Sequence, residues 1–358
     1  MEKVKKILLL HVPMSICNFR CHYCYLAQRD ECYQGVQPDM KYSPDEVAKA
    51  LSVQRIGGKA FINICAAGET LLTKNIDLYV KALLQEGHYV EFVTNLSVSS
   101  VLDKFLQWDE KILKHLEFKC SFHYLELKKK GLLETFASNV KKIWQAGASA
   151  NIEITPSDEL IPYIDEVKDF SLKHFGALPH ITIARNDQTK GIDYLTNLSD
   201  VDYERVWSSF NSDFWSFKRS IFGKKQKEFC YAGKWSAYID LSTGIMRQCY
   251  CGKELGDVFA NPLEPFFEKA IGKCEMPHCF NGHALMTLGL VPNATSVRYG
   301  EIRDRKKQDG SYWLQSELRS FFDSKCADCN ITYGNLKKRN ILLKIKINKI
   351  IEKVKRHI

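Results

Sequence analysis

The sequence predicts an α/β fold: a partial (β/α)6 barrel of the TIM type, followed by a small cysteine-rich domain and a basic C-terminal helix. Three observations support this prediction. Short apolar runs alternate with longer amphipathic stretches up to about residue 220, seven cysteines gather between residues 230 and 329, and the last twenty residues are rich in lysine and isoleucine. The predicted boundaries are therefore 1–222, 223–335 and 336–358.

Six segments of the first region are predicted to be strands because each is a short apolar run rich in β-branched and aromatic residues. They are 7–13, 61–65, 89–94, 116–122, 151–155 and 181–185. A helical segment is predicted after each strand, at 43–56, 73–86, 99–114, 132–146, 160–175 and 200–220. Ser43 is the expected N-cap of the first helix, and Pro44 lies in its first turn. This alternation predicts a parallel sheet with helical crossovers, either open or partly closed into a barrel.

Composition indicates a soluble globular protein, with 45% hydrophobic and 26% charged residues. No apolar run reaches the ~18 residues that span a bilayer, and the N-terminus lacks the features of a secretory signal, so we expect a cytoplasmic location. Residues 337–358 hold nine Lys and Arg against one Glu, which leaves +1 of the net charge of +9 for the rest of the chain. A nearly neutral body does not favour a nucleic-acid partner.

The thirteen cysteines lie mainly in tight groups in a long chain without an export signal, which favours metal or cluster ligation over disulfides. The first group, Cys17, Cys21 and Cys24, directly follows the first predicted strand. A zinc site would normally take four protein ligands. Three thiolates with C-x3-C-x2-C spacing instead suit three irons of a [4Fe-4S] cluster and leave the fourth iron open.

This loop resembles the defining motif of the radical S-adenosylmethionine superfamily. The resemblance implies that S-adenosylmethionine binds the fourth iron and that the reduced cluster cleaves it to a 5'-deoxyadenosyl radical, which abstracts hydrogen from a substrate. It also implies that Tyr23 packs on the adenine, and that an electron donor such as a flavodoxin or a ferredoxin serves the enzyme. Cys32, Cys65 and Cys120 are interpreted as ordinary buried thiols.

If the resemblance holds, further contacts to S-adenosylmethionine should follow the next strands. The residues that match the superfamily pattern at these positions are Gly68, Glu69, Thr94, Asn95, Ser121, His123 and Arg185. The resemblance implies that Gly68 exposes backbone to the methionine amino group and that Arg185 pairs with the carboxylate. For His123 and Arg185, a structural hydrogen bond and a surface ion pair are equally good alternatives.

The second cysteine group begins with Cys230 and Cys249, which flank a predicted hairpin with its turn at 240–244. This segment resembles the auxiliary-cluster domain called SPASM, or twitch in its shorter form. The resemblance implies that the ligands of one or two auxiliary [4Fe-4S] clusters come from Cys230, Cys249, Cys251, Cys274, Cys279, Cys326 and Cys329. One cluster needs four of them, two would need eight, and zinc is an alternative metal.

The C-terminal segment 336–358 is predicted to be an amphipathic basic helix, because apolar residues recur at helical spacing with lysines between them. The simplest interpretation is a terminal helix docked on the body. The alternative is a surface that contacts an anionic membrane or an acidic partner.

The sequence therefore predicts a radical S-adenosylmethionine enzyme of the oxidoreductase or maturase type. The substrate is a peptide, a saccharide or a small molecule, and the reaction is an oxidation, a crosslink or an epimerisation. No catalytic side chain is assigned, although Cys251 or the Cys326–Cys329 pair would be candidate hydrogen donors. Two alternatives stand beside this prediction: an RNA-modifying radical enzyme, and a non-catalytic zinc or iron–sulfur structural protein.

Overall fold

A nine-stranded sheet organises the chain. The structure, a computed structural model, describes residues 2–33, 39–189, 191–264 and 269–355. The strand order is β11-β10-β9-β1-β2-β3-β4-β5-β6, and every pair from β9 to β6 is parallel. The strands are β1 Lys6–Val12, β2 Ala60–Ala66, β3 Tyr89–Thr94, β4 Leu116–Ser121, β5 Ser149–Ile154, β6 His180–Ile181, β7 Arg185–Asn186, β8 Asp193–Tyr194, β9 Ser236–Asp240, β10 Ile245–Arg247 and β11 Glu254–Asp257.

The helices of the first half cross between the strands. They are α1 Tyr25–Gln28, α2 Pro44–Ala50, α3 Val53–Ile56, α4 Ile76–Gln85, α5 Ser99–Phe105, α6 Glu110–Leu113, α7 Tyr124–Lys129, α8 Leu133–Gln145, α9 Ile164–Phe175, α10 Asp200–Ser208 and α11 Asp213–Ile221. Those of the second half are α12 Gly282–Leu285, α13 Tyr299–Arg303, α14 Ser316–Phe322 and α15 Asn335–Lys355. Short 3-10 segments occur at Thr70–Leu72, Asp158–Tyr163 and Cys326–Asp328.

The expected βα series is confirmed, with differences at its helix and strand ends. Ser43 caps α2 through a capping box with Glu46, as its position before Pro44 predicts. The helix expected at 99–114 is two helices, since Asp109 caps a new one, and Ser212 divides the segment 200–220 in the same way. The strand expected at 181–185 is shorter: β6 ends at Ile181, and Arg185 pairs instead in the small β7–β8 hairpin.

The two faces of the sheet bury two different cores, because side chains alternate along each strand. Leu8 and Leu10 of β1 belong to the large core under the crossover helices, whereas Ile7 and Leu9 belong to a second core on the inner face. Residues of α12, α13 and α14 fill that inner face; for example, the ring of Phe321 stacks on Tyr89 with centroids 3.7 Å apart. The region after residue 223 thus shares a sizeable apolar core with the strands of the barrel.

The predicted 240–244 hairpin forms between β9 and β10, and β9 also pairs in parallel with β1. The cysteine-rich region therefore extends the barrel sheet by three strands rather than standing beside it. Its first cysteines are held in the same hydrogen-bonded framework as the three-cysteine loop.

A layer of buried charge lies on the inner face around Arg303, whose side chain is fully buried. Its Nη2 lies 3.0 Å from Oε1 of Glu117, and its Nη1 contacts Glu153. Glu91 completes the layer and accepts hydrogen bonds from Asn63 and Tyr299. Charges at this depth require partners of opposite sign. Arg303 is the cationic partner for carboxylates on three adjacent strands.

The basic C-terminal segment forms helix α15, and residues 356–358 lie outside the described part. Ile341 and Ile345 approach Gly272 on the body, whereas Leu343, Ile347 and Ile351 are largely exposed. The helix is thus docked along its first half and exposes apolar side chains along its second. Among the described residues, no helix combines the length and the apolar character needed to cross a bilayer.

Candidate functional site

The loop that carries Cys17, Cys21 and Cys24 lies at the carboxyl end of β1. Hydrogen bonds to its own backbone carbonyl oxygens stabilise it. The Arg20 guanidinium donates hydrogen bonds to the carbonyl oxygens of Cys17 (2.6 Å) and Phe19 (2.9 Å). The Cys24 amide donates to the Cys21 carbonyl oxygen at 3.1 Å. The three thiols are partly exposed and lie within electrostatic range of one another.

The surroundings of these three thiols favour binding of a positively charged group. Burial and the neighbouring thiols raise the pKa of Cys21 well above its usual range, and burial likewise raises the pKa of Cys17. The Phe19 amide donates to the Cys17 sulfur, and Arg20 is the cation that lowers the pKa of Cys17. Iron would supply the positive charge that three adjacent thiolates need, so the residues fit a cluster held at three corners.

The predicted residues Glu69, Thr94 and Asn95 form one buried network beside this loop. The Glu69 carboxylate accepts hydrogen bonds from the Thr94 hydroxyl, from the Asn95 amide (2.7 Å) and from the Leu71 amide (3.0 Å). The Asn95 side chain donates to Asn18 Oδ1 at 2.9 Å. The ends of β2 and β3 are thereby tied to the three-cysteine loop, and Glu69 acts here as a positioning residue.

Gly68 is required for a close approach of the chain rather than for an unusual backbone conformation. A Cβ at this position would lie 2.1 Å from the carbonyl oxygen of Ile16. That carbonyl oxygen accepts a hydrogen bond from the Glu69 amide at 2.9 Å. Only a residue without a side chain lets the end of β2 pack against the loop that leads into Cys17.

Tyr23 and His123, predicted from separate motifs, are hydrogen-bonded to each other. The Tyr23 hydroxyl is hydrogen-bonded to His123 Nδ1 at 2.8 Å and to the Cys21 thiol. Burial lowers the pKa of His123 to about 4, so the ring is neutral near pH 7. Ser121, at the end of β4, accepts at its carbonyl oxygen from the His123 amide at 3.0 Å.

Arg185 lies close to the loop but already has an anionic partner. Its Nε is 2.8 Å from Oδ1 of Asp187, whose side chain is fully buried. Its guanidinium packs over the ring of Tyr25, 3.9 Å from the centroid, and 5.3 Å from that of Phe280. Arg185 therefore faces the site, while its charge is balanced by Asp187.

Five cysteines of the second group come together. The Cys251 thiol is hydrogen-bonded to those of Cys249 and Cys274, and Cys251 and Cys274 lie within electrostatic range of Cys230 and Cys279. Burial raises the pKa of Cys230 to about 12. One cluster needs four thiolate ligands, and these five neighbouring thiols are enough to provide them.

Cys326 and Cys329 lie apart from the three-cysteine loop. The Cys329 thiol donates to the Val4 carbonyl oxygen at 3.2 Å, before the amino end of β1, whereas the three-cysteine loop follows its carboxyl end. Six rises of about 3.3 Å along this seven-residue strand separate its two ends by about 20 Å. The Cys326 thiol interacts electrostatically with that of Cys329.

No group of three or more His, Cys, Asp or Glu side chains in the described ranges is arranged to hold a metal ion. Each of the thirteen cysteines is a free thiol. A cubane cluster needs its thiolates farther apart than one zinc ion does, because each thiolate binds a different iron.

A pocket lies beside the second cysteine group. Its lining includes Arg185, Lys218, His278, Cys279 and His283. Burial lowers the pKa of Lys218 to about 7, so this amine can hold or release a proton near neutral pH. His278 Nδ1 is buried and has no hydrogen-bond partner in the part of the chain that the structure describes. The pocket is thus basic, and a polar group can enter it.

Two lysines at the site were not predicted. Lys218 lies on α11 and has no local signal in the sequence. Lys119 on β4 points to the same side, 3.2 Å from Glu153 and 3.4 Å from His283 Nε2. The isolated charges within the apolar strands would have indicated an inward-facing polar layer, since a charge in a buried strand needs a partner.

No protein-family model matches the sequence, and no curated protein matches it. Solved structures are similar in fold. Streptococcus suis SuiB, with S-adenosylmethionine bound, is 14% identical with a TM-score of 0.46 over 73% of this chain and 63% of SuiB. The protein anSMEcpe, with bound AdoMet and the Cp18Cys peptide, is 14% identical with a TM-score of 0.50 over 71% of this chain and 77% of its own.

The chain thus spans a little under two thirds of the length of SuiB. Both neighbours were solved with S-adenosylmethionine (AdoMet) bound. At this level of identity the similarity to anSMEcpe establishes the fold, and it confirms the α/β architecture with a parallel sheet that was expected from the sequence.

Proposed function

We propose that this chain is a radical S-adenosylmethionine enzyme with one auxiliary [4Fe-4S] cluster. The observation that carries the proposal is the position of Cys17, Cys21 and Cys24. They lie on a held loop at the carboxyl end of β1, beside the Glu69 network and the Tyr23–His123 pair. Sites of parallel α/β folds are built at this end of the sheet.

Cys17, Cys21 and Cys24 would hold the first cluster, which would supply the reductive cleavage of S-adenosylmethionine. The residues around it have separate tasks. Tyr23 is held by neutral His123 and can present its ring to the adenine. Glu69 keeps the ends of β2 and β3 against the loop, and Arg185 presents a flat cation beside Tyr25.

The auxiliary cluster would be held by four thiolates from the group Cys230, Cys249, Cys251, Cys274 and Cys279. A single cluster is proposed because the two remaining cysteines of the region, Cys326 and Cys329, interact with each other and are too few to complete a second cluster. The basic pocket is lined by Cys279 of the second cysteine group and by Arg185, which packs on Tyr25 next to Cys24, so a substrate there would lie near both cysteine groups. Lys218 can exchange a proton with such a substrate, since its pKa is lowered to about 7.

A peptide is the first substrate class to test, because anSMEcpe was solved with a peptide bound. Saccharides and small molecules are the other classes. The enzyme would work in the cytoplasm with a flavodoxin or ferredoxin as electron donor. The exposed apolar and lysine side chains of α15 would contact an anionic membrane or an acidic partner.

The test is anaerobic reconstitution followed by counting of iron and sulfide. The wild-type chain should hold about eight irons, and the Cys17→Ala/Cys21→Ala/Cys24→Ala variant about four. With dithionite and S-adenosylmethionine, the wild type should release 5'-deoxyadenosine and the triple variant should not. Cys329→Ala, a change to an exposed thiol far from the loop, is the matched control and should behave as the wild type.

The result distinguishes this function from the alternatives. A zinc protein would bind zinc without sulfide and release no 5'-deoxyadenosine. Loss of all iron in the triple variant would contradict the separate auxiliary cluster. Steeply salt-dependent binding of tRNA would instead favour an RNA-modifying enzyme.

A further inference from the structure

A fourth cysteine lies beside the three-cysteine loop. Cys32 is 6% exposed, and its thiol shares a hydrogen bond with that of Cys24. It also lies within electrostatic range of Cys17. The side chain of Tyr33 is within electrostatic range of all four thiols. The sequence spacing alone, with seven residues between Cys24 and Cys32, does not indicate this arrangement.

The chain turns back sharply to bring Cys32 to this position. Helix α1 ends after one turn, and Asp30 and Tyr33 both adopt left-handed backbone conformations, with φ of 56° and 62°. The Tyr33 amide then donates to the Ser15 carbonyl oxygen at 2.6 Å. The Arg20 guanidinium packs 3.9 Å from the centre of the Tyr33 ring. Non-glycine residues adopt such conformations at a cost in free energy. The contacts of Tyr33 therefore stabilise the chain reversal that brings Cys32 to the loop.

We propose that Cys32 is an exchangeable fourth ligand of the cluster held by Cys17, Cys21 and Cys24, and that S-adenosylmethionine displaces it. The inference rests on the proposed function. A cluster held at three corners has one iron that needs a further ligand, and the Cys32 thiol is the protein group in contact with the triad that can supply it. No electron moves in the exchange. The thiol loses its proton when it binds iron, and it regains one from solvent when S-adenosylmethionine takes its place.

This role has two consequences that a merely structural thiol would lack. A cubane that has a thiolate on each of its four irons keeps all four irons on mild oxidation. A cubane with one open iron gives one electron to the oxidant and releases that iron as Fe2+, so that [4Fe-4S]2+ becomes [3Fe-4S]+. A competing internal ligand also weakens S-adenosylmethionine binding, because only the fraction of molecules whose iron is free of that ligand can bind the cofactor. Cys32 would therefore protect the cluster until the cofactor arrives and lower the apparent affinity for it.

The experiment compares wild-type, Cys32→Ala and Cys120→Ala proteins after anaerobic reconstitution. Cys120 is the matched control, because it is also a buried thiol and donates to the Phe118 carbonyl oxygen at 3.3 Å, within its own strand. Ferricyanide is the oxidant, electron paramagnetic resonance detects [3Fe-4S], and equilibrium dialysis measures S-adenosylmethionine affinity. The auxiliary cluster is common to all three proteins, so the differences report the first cluster.

Without S-adenosylmethionine, Cys32→Ala should give nearly one [3Fe-4S] spin per chain, while the wild type and Cys120→Ala should give little. S-adenosylmethionine should suppress this signal in Cys32→Ala, and that variant should bind it several-fold more tightly. Equal iron loss and equal affinity in all three proteins would overturn the proposal while leaving the proposed function intact. Absence of a cluster in the wild type, or of 5'-deoxyadenosine release, would overturn both. A Cys32→Ser variant with intermediate iron loss would separate ligation from packing.

Discussion

Replacing Arg303 with methionine should strongly destabilise the fold, although the residue lies away from the three-cysteine loop. The guanidinium is fully buried and lies 3.0 Å from Glu117, and it also contacts Glu153. Glu153 retains Lys119 at 3.2 Å, but Glu117 has no other ion-pair partner in the described part of the chain. Removal of one partner of a buried ion pair costs about 3–5 kcal/mol, and we expect a loss of that size in Arg303→Met.

Urea unfolding of wild type and Arg303→Met, followed by circular dichroism at pH 5 to 8, measures this loss. Burial already raises the pKa of Glu117 in the wild type, and loss of Arg303 should raise it further. The folded variant then binds a proton that the unfolded chain releases above about pH 4.5, so the penalty should shrink as the pH falls from 8 to 5. Adding Glu117→Gln should restore much of the lost stability.

Arg319→Met is the control for this experiment. Arg319 is 30% exposed and pairs with Asp304 at 3.2 Å and Asp323 at 2.9 Å, so its loss should cost less than about 1 kcal/mol. A penalty for Arg303→Met below that of Arg319→Met, or one independent of pH, would refute the reasoning. It would mean that the buried carboxylates find other partners or water.

Two further predictions concern single residues. Gly68→Ala should cost about 1–3 kcal/mol and lower the iron held by the first cysteine group, because its Cβ would lie 2.1 Å from the Ile16 carbonyl oxygen; chemical unfolding and iron counting test this, and unchanged iron would contradict it. Burial lowers the pKa of His88 to about 4, and its neutral ring accepts from the Ala60 amide at 3.0 Å and donates to the Leu51 carbonyl oxygen at 2.7 Å. As the pH falls, His88 is protonated in the unfolded chain before it is protonated in the folded one, so about 3 kcal/mol of stability should be lost between pH 6.5 and 4. A His88→Gln variant whose stability changes with pH as steeply as that of the wild type would contradict this.

Local signals were sufficient for most of the fold. Strand β3 occupies the predicted residues 89–94, and Ser43 caps α2 as its position before Pro44 predicts. The pairing of β9 with β1 could not be predicted, because it joins segments more than 200 residues apart and depends on an inner core that no short window reveals. The break at Asp109 shows the same limit, since a polar N-cap can begin a helix within an apolar pattern.

The site was predictable where chemistry is encoded in spacing. The three-cysteine loop, the Glu69 network and His123 each follow a strand, and the parallel sheet brings these strand ends together. Cys32 and Lys218 were missed because a chain reversal and a helix packing place them there, and neither leaves a local pattern.

The ladder between β9 and β1 has a consequence for how the molecule loses its structure. Five backbone positions, from Ile7 opposite Ser236 to His11 opposite Asp240, join the first strand of the barrel to the strand that leads to Cys249. Heat or denaturant therefore cannot melt one half and spare the other without breaking a central strand pair. We expect a single cooperative transition in which both cysteine groups are disassembled together.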